Sequence, residues 1–254
     1  MKALPAVLLL VGLIPACDAP KADPATTAAP TEAVVQRAPT ASATAQPTAN
    51  KKKTAADCSD GPTVTFDESS LEAAIRKQLR KPTGPIAKAE LAKVETLDLA
   101  QGPPTVQLDP CIYPHLTGLT GLYLAPGPLD DIAVLAKLDK LESLRVAATR
   151  VEDISPLAGL TKLDRLDLGR TAVSDLTPLT KLVSLTNLML DETEVTDLAP
   201  LAKLPKLTIL NIKRTRVSDV SPLKGLTKLK NLYIEGSSVK DTSALDGLKG
   251  LHIH

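Results

Sequence analysis

The sequence predicts an α/β solenoid: a stack of short coils, each giving one strand to a parallel concave sheet and a short helical, 3₁₀ or extended segment to the convex side. Three observations carry this expectation. No leucine occurs between Leu13 and Leu71, whereas 36 of the residues from 91 to 254 are Leu. Leu116, Leu138, Leu160, Leu182, Leu204 and Leu226 recur at a constant spacing of 22, and each opens a similar phrase. The chain of 254 residues holds three Tyr, one Phe and no Trp, so aliphatic side chains have to fill the core.

Residues 1–16 begin with Lys2, run through Leu8-Leu9-Leu10-Val11 with Leu13 and Ile14, and end at Ala16 before Cys17. A charged start, an apolar run and a small residue make an export signal, one too short to span a bilayer. Leu13-Ile14-Pro15-Ala16-Cys17 resembles the bacterial lipoprotein signal, in which the cysteine becomes the lipidated first residue of the mature chain. The resemblance implies acyl chains on Cys17. A protein exported and lipid-anchored to the cell envelope follows, with the inner and the outer membrane both open as its place.

Residues 17–57 read as the anchor plus a spacer. Of the 40 residues from Asp18 to Asp57, 25 are Ala, Thr or Pro, and Leu, Ile and aromatics are absent. Such a stretch buries too little apolar surface to offset its ordering entropy, so disorder is expected. As a flexible coil it reaches ~35 Å. Lys51, Lys52 and Lys53 are expected to be simply solvated.

Residues 58–90 read as an N-terminal cap. Asp67 or Ser69 is placed to N-cap a helix whose Leu71, Ala74, Ile75 and Leu79 form one apolar stripe, covering the otherwise open end of the first coil.

Residues 91–254 carry the repeat. Its clearest copy runs from Leu160 through Leu163, Leu166, Leu168, Thr171, Val173, Asp175, Leu176, Pro178 and Leu179. A fixed period near 22 with LxxLxxLxL is the signature of a leucine-rich repeat. Leu166 and Leu168 alternate with Arg165 and Asp167, which predicts a strand with leucines inward and the other pair outward. The in-phase Thr149, Thr171, Thr193 and Thr215 are placed to hydrogen-bond the turning backbone and the neighbouring copy. Asp131, Asp153, Asp175, Asp197, Asp219 and Asp241 stand ahead of the convex segments, where a carboxylate caps a short helical or 3₁₀ turn.

The phrase Val151-Glu-Asp-Ile-Ser-Pro-Leu-Ala-Gly-Leu-Thr-Lys162 closely resembles the internalin-type 22-residue repeat of bacterial surface proteins. The stretch from Phe66 to Leu99 is similar to the helical cap that opens such arrays. This resemblance implies a binding scaffold and names no partner. Two stretches depart from it: the first coil contains the insertion Gln101-Gly-Pro-Pro104, and the next has Gly127-Pro128 in place of Thr and a polar residue. The end, Leu245 to His254, fits a truncated copy or a coil shortened by three residues, which leaves the last strand as an exposed edge.

With Cys17 lipidated, Cys58 and Cys111 are left. Export to an oxidising compartment favours one disulfide between them, with two buried free thiols as the alternative.

Composition bounds the function. A net charge of +1 suggests no nucleic-acid partner, and 3 His with 3 Cys leave little for catalysis. No nucleophile motif and no phosphate-binding loop is present, so no catalytic residues, metal or cofactor are expected. His252 and His254 fall on one side of the last strand and read as surface residues. The concave face is the expected ligand-binding surface, with Tyr123, Arg145, Arg165, Asp167, Asn187, Met189, Asn211 and Tyr233 as its candidate contacts. Mixed charge and a few large side chains suit a protein or peptide ligand met by a monomer. The competing class is a structural or cell-envelope role with glycan binding, for which only Tyr123 and Tyr233 offer stacking rings. A second row, Arg170, Glu192 and Arg214 with Glu194 and Arg216 beyond it, alternates in sign and is expected to pair across coils.

Overall fold

The computed structural model describes residues 52–254. The signal segment, Cys17 and most of the spacer lie outside these residues. Within them, the period-two alternation builds what it predicts. Thr96–Asp98 (β3), Gly121–Tyr123 (β4), Ser143–Arg145 (β5), Arg165–Asp167 (β6), Asn187–Met189 (β7), Ile209–Asn211 (β8), Asn231–Tyr233 (β9) and His252–Ile253 (β10) form one sheet in chain order. All neighbours are parallel, and the central residue of each strand pairs with that of the next, as Leu144 with Leu166 and Leu166 with Leu188. The fold is a leucine-rich repeat solenoid.

The leucine phrase fills its interior. In the coil from Leu160, the side chains of Leu163, Leu168, Val173 and Leu179 are 0% exposed. Burying each such side chain contributes roughly 1.5–3 kcal/mol, and a narrow coil repeated in register accepts aliphatic residues of one size more readily than rings. The convex side is a series of 3₁₀ turns, for example Thr177–Lys181, Ala199–Lys203 and Ser221–Gly225.

Two repeated polar groups close the turns. Thr171 Oγ1 donates to the Leu168 carbonyl at 2.7 Å, and Thr149, Thr193 and Thr215 do the same three residues back in their own coils. The hydroxyl proton is thus committed inside the coil rather than to the neighbouring copy. Each in-phase Asp accepts from the backbone N–H two residues on, as Asp153 from Ser155 and Asp197 from Ala199, both at 2.8 Å. The carboxylate stands two residues before the turn's first residue and satisfies that residue's N–H, while the N-cap position between them holds an apolar residue such as Ile154 or Leu176. Local hydrogen bonds to the charged form hold Asp153, Asp175, Asp219 and Asp241 below the usual carboxylate range; the largest cause is a backbone N–H in three of them and the Thr177 side chain at Asp175.

A left-handed residue recurs in the coils that open at Leu138, Leu160, Leu182, Leu204 and Leu226. Ala148, Arg170, Glu192 and Arg214 have φ near 55°, and Gly236 occupies the same place with φ 72°. Their N–H groups bond to the next coil, Arg170 to the Asp191 carbonyl at 2.7 Å and Glu192 to that of Lys213 at 2.9 Å. The chain turns off the sheet there while the inter-coil ladder continues.

The cap consists of a short antiparallel pair, Thr63–Val64 (β1) with Ile86–Ala87 (β2), and the helix Ser69–Leu79 (α1). Leu71 and Ile75 are buried, with Ala74 and Leu79 packed against the core, as the stripe predicts. The N-cap differs: it is Glu68, with no side-chain cap bond, and Asp67 instead pairs with Lys53 at 2.7 Å. That ion pair belongs to a second correction. Residues 52–57, read as the end of a disordered spacer, lie as a strap across the cap and the first two coils. Lys53 joins Asp67 and Asp109, and Lys52 joins Asp130. The Lys53 backbone N–H donates to Gln107 Oε1 at 2.9 Å, and Gln107 Nε2 returns a bond to the Lys53 carbonyl. Burial opposes the Lys53 charge, but the bonds to Asp67 and Asp109 outweigh it and hold its pKa above that of an ordinary lysine.

The two departures from the repeat serve this end of the molecule. The long first coil carries the strap's partners and Cys111, which is bonded to Cys58 with their Cα atoms 5.3 Å apart. Gly127 leaves room for that coil, since a Cβ there would stand 2.3 Å from the Thr105 carbonyl oxygen. At the far end His252 pairs with Asn231, so the last coil closes one residue short of the repeat, not three. Ile253 is 41% exposed at this edge.

Candidate functional site

Strand register sorts the outward side chains into ladders across the concave face. One runs Thr96, Gly121, Ser143, Arg165, Asn187, Ile209, Asn231, and the other Asp98, Tyr123, Arg145, Asp167, Met189, Asn211, Tyr233. All eight candidate residues stand in these ladders: Arg165 and Asn187 in the first, the other six in the second. The short closing coil extends both, because His252 pairs with Asn231 and His254 stacks on Tyr233 with ring centroids 4.6 Å apart.

Side chains within the ladders are held before any partner arrives. The Tyr123 hydroxyl donates to Ser143 Oγ at 3.1 Å. Arg145 Nε lies 3.3 Å from Asp167 Oδ2, and Arg165 Nε lies 3.7 Å from Asp164. Asn187 Oδ1 accepts from the Thr186 hydroxyl at 3.1 Å. Asn211 bridges two groups: its Nδ2 donates to Asp191 at 2.9 Å, and its Oδ1 accepts from the Lys213 N–H. Met189, half-buried, is the apolar contact between Asp167 and Asn211. Tyr233 lies between His254 and Lys213, whose ammonium is 5.5 Å from the ring centroid. A ring stacked in this way is less free to take a sugar face, so of the two tyrosines Tyr123 keeps the more open ring.

Asp167 is held away from its ordinary titration range. Burial pushes its carboxyl above the usual range. The Gly169 N–H and Arg145 oppose that shift, and the neighbouring Asp191 charge adds to it. Asp191 was not among the expected contacts. It owes its place to Gly169, where a Cβ would lie 2.8 Å from Asp191 Oδ1. Asp191 and Lys213 belong to a third outward row, in phase with Ala125, Ala147 and Gly169. The signal was available: the period-two alternation simply continues two residues past each strand.

Beyond that row stand the left-handed residues. Arg214 pairs with Glu192 at 2.8 Å and Arg216 with Glu194 at 3.8 Å, as their signs predict. Arg170 forms no such pair with Glu192; it lines a shallow recess with Gly127, Pro128, Ala148 and Arg150.

The concave face is open and mixed in charge, with hydrogen-bonding groups spaced one strand apart. Among the described residues no three His, Cys, Asp or Glu side chains gather to hold a metal ion, and no helix is long and apolar enough to cross a membrane. Such a face suits an extended, many-point contact rather than the enclosure of a small substrate.

The chain is similar in structure to two solved leucine-rich repeat proteins of Listeria monocytogenes. With an internalin, InlF, it shares 31% sequence identity at a TM-score of 0.68 over 74% of this chain and 55% of that one. With internalin C2 it shares 26% identity at a TM-score of 0.64 over 74% of this chain and 93% of that one. The chain thus spans little more than half the length of the first. No family model matches it, and no curated protein does.

Proposed function

We propose that this leucine-rich repeat solenoid is a protein-interaction module, exported and lipid-anchored through Cys17, which recognises a protein or peptide partner on its concave face. The observation that carries the reading is the pair of outward ladders on one sheet, in which Tyr123 is held by Ser143, Arg145 pairs with Asp167, Arg165 lies beside Asp164, and Met189 adds an apolar contact between Asp167 and Asn211. Side chains fixed before binding lose less entropy on contact. Tyr and Arg are the residue types that dominate protein interfaces. The likeness to internalins supports the scaffold role. With two concave tyrosines and no tryptophan, the contact is modest in strength and gains from the avidity that clustering on a membrane gives.

The test is a crosslinking pulldown of the intact protein from cell envelopes, set against a variant with Tyr123, Arg165 and Met189 changed to Ala. The reading expects one or a few partners to be lost with the variant. Equal recovery from both would remove the concave face as the binding surface. Radiolabelled fatty acid should enter the parent and not Cys17→Ser; label in both would refute the anchor.

A further inference from the structure

We propose that one flank of the solenoid, where the 3₁₀ turns lead into the strands, is a docking surface for an anionic lipid bilayer. The net charge of +1 conceals a segregation across the coils. In three consecutive coils, the stretches 180–186, 202–208 and 224–230 contain Lys181, Lys203, Lys206, Lys224, Lys228 and Lys230 and no Asp or Glu. All six lysines are exposed. The ion pairs of the described residues involve other bases, such as Lys213, Arg214 and Arg216. On the opposite flank the same coils carry Glu194, Asp197, Asp219 and Asp241. Register stacks equivalent positions about 5 Å apart, which sets Lys181 beside Lys203 and Lys206 beside Lys228, with Lys224 and Lys230 on the same flank of the third coil, so the lysines gather into one basic strip.

Three features favour a bilayer over a nucleic acid. The strip is all Lys and no Arg; hydrated point charges suit diffuse attraction, whereas reading of phosphates and bases leans on the bidentate Arg fork. These stretches hold no aromatic side chain on which a base could stack. Val183, 48% exposed, stands beside Lys181, and Pro205 follows it in phase on the next coil. An apolar side chain set among lysines is the composition of surfaces that rest in the headgroup layer. Docked this way, the solenoid lies on its flank with the groove opening along the membrane plane. The inference does not depend on Cys17 being lipidated or on the concave face binding a partner.

Vesicle co-sedimentation tests it, using the full chain with Cys17→Ser so that no acyl chain contributes. Phosphatidylcholine vesicles are compared with vesicles that also contain phosphatidylglycerol. Each lysine near an anionic surface contributes about fivefold to partition, so changing Lys181, Lys203, Lys206 and Lys228 to Gln should weaken binding roughly 600-fold. Arg150 and Arg216, away from the strip, should tolerate Gln without effect, and added salt should release the parent. Parent and variant are identical upstream of residue 52, and an unchanged thermal transition shows that the variant is folded. The proposal fails if the folded variant partitions like the parent, if the parent does not distinguish the two lipids, or if it binds duplex DNA at a salt concentration where it ignores phosphatidylglycerol.

Discussion

Arg214 Nη1 donates a 2.8 Å hydrogen bond to Glu192 Oε1 on the preceding coil, and both residues sit on left-handed backbone, with φ of 54° and 55°. The left-handed turn aims both side chains along the stack. A residue with a Cβ is disfavoured there by roughly 1–2 kcal/mol, while the exposed pair returns at most about 1 kcal/mol.

Ala148 shares this backbone without such a pair, so Ala148→Gly should raise stability by about 0.5–1 kcal/mol, after allowing for the greater entropy of glycine in the unfolded chain. Gly236→Ala should lower it, because φ is 72° and the new Cβ would meet Arg214 Cγ at 3.0 Å. Denaturant midpoints of the two variants check this; shifts in one direction would contradict it.

Thr171 tests the role of the buried hydroxyls. It is 6% exposed and donates to the Leu168 carbonyl. Thr171→Val keeps the shape but leaves that carbonyl unsatisfied, at a cost of about 1–3 kcal/mol. Thr171→Ser should recover most of the loss in thermal unfolding, and an equal fall for both variants would point to packing instead.

How much of this was legible in the sequence depends on the range of the interaction. Leu166, Leu168, Thr171 and Asp175 act within their own coil, so period and residue type sufficed to place them. The ladders on the concave face followed because one register, multiplied by the repeat, fixes every neighbour. The left-handed turn was hidden: Ala148, Arg170, Glu192 and Arg214 do not favour that backbone, and Gly236 was its single in-phase signal. The strap was hidden for another reason. Lys52 and Lys53 find Asp130 and Asp109 at separations of 78 and 56 residues, which no local pattern reveals.

Stability should fall with acid in a definite window. Asp153, Asp175, Asp219 and Asp241 have folded pKa values below their unfolded ones. Their contribution is therefore present above the ordinary carboxylate value near 4 and is lost as pH falls through the lowered values. Asp167 has the opposite sign: its raised pKa means that the charged form opposes folding, and acid relieves this. Asp153→Asn should flatten the acid limb of the stability curve, while Asp167→Asn should stabilise the protein at neutral pH. A curve unchanged by Asp153→Asn would break the capping argument.

The Cys58–Cys111 bond closes a loop with a sequence separation of 53, and constraining the unfolded chain in this way contributes about 4 kcal/mol. Alkylation before reduction should therefore leave both thiols unmodified, and reduction should lower the unfolding midpoint markedly. Two thiols that alkylate freely in the native protein would rule the bridge out.

The central claim, that the concave face meets the partner, is tested most directly by site-specific photocrosslinking in whole cells. One reporter replaces Asn187, in the middle of the face, and another replaces Ala202 on the exposed convex turn. The account predicts a discrete crosslinked product from position 187, none from position 202, and loss of that product when Tyr123 and Arg165 are changed to Ala. The same product from Ala202, or one from Asn187 indifferent to those two changes, would contradict it.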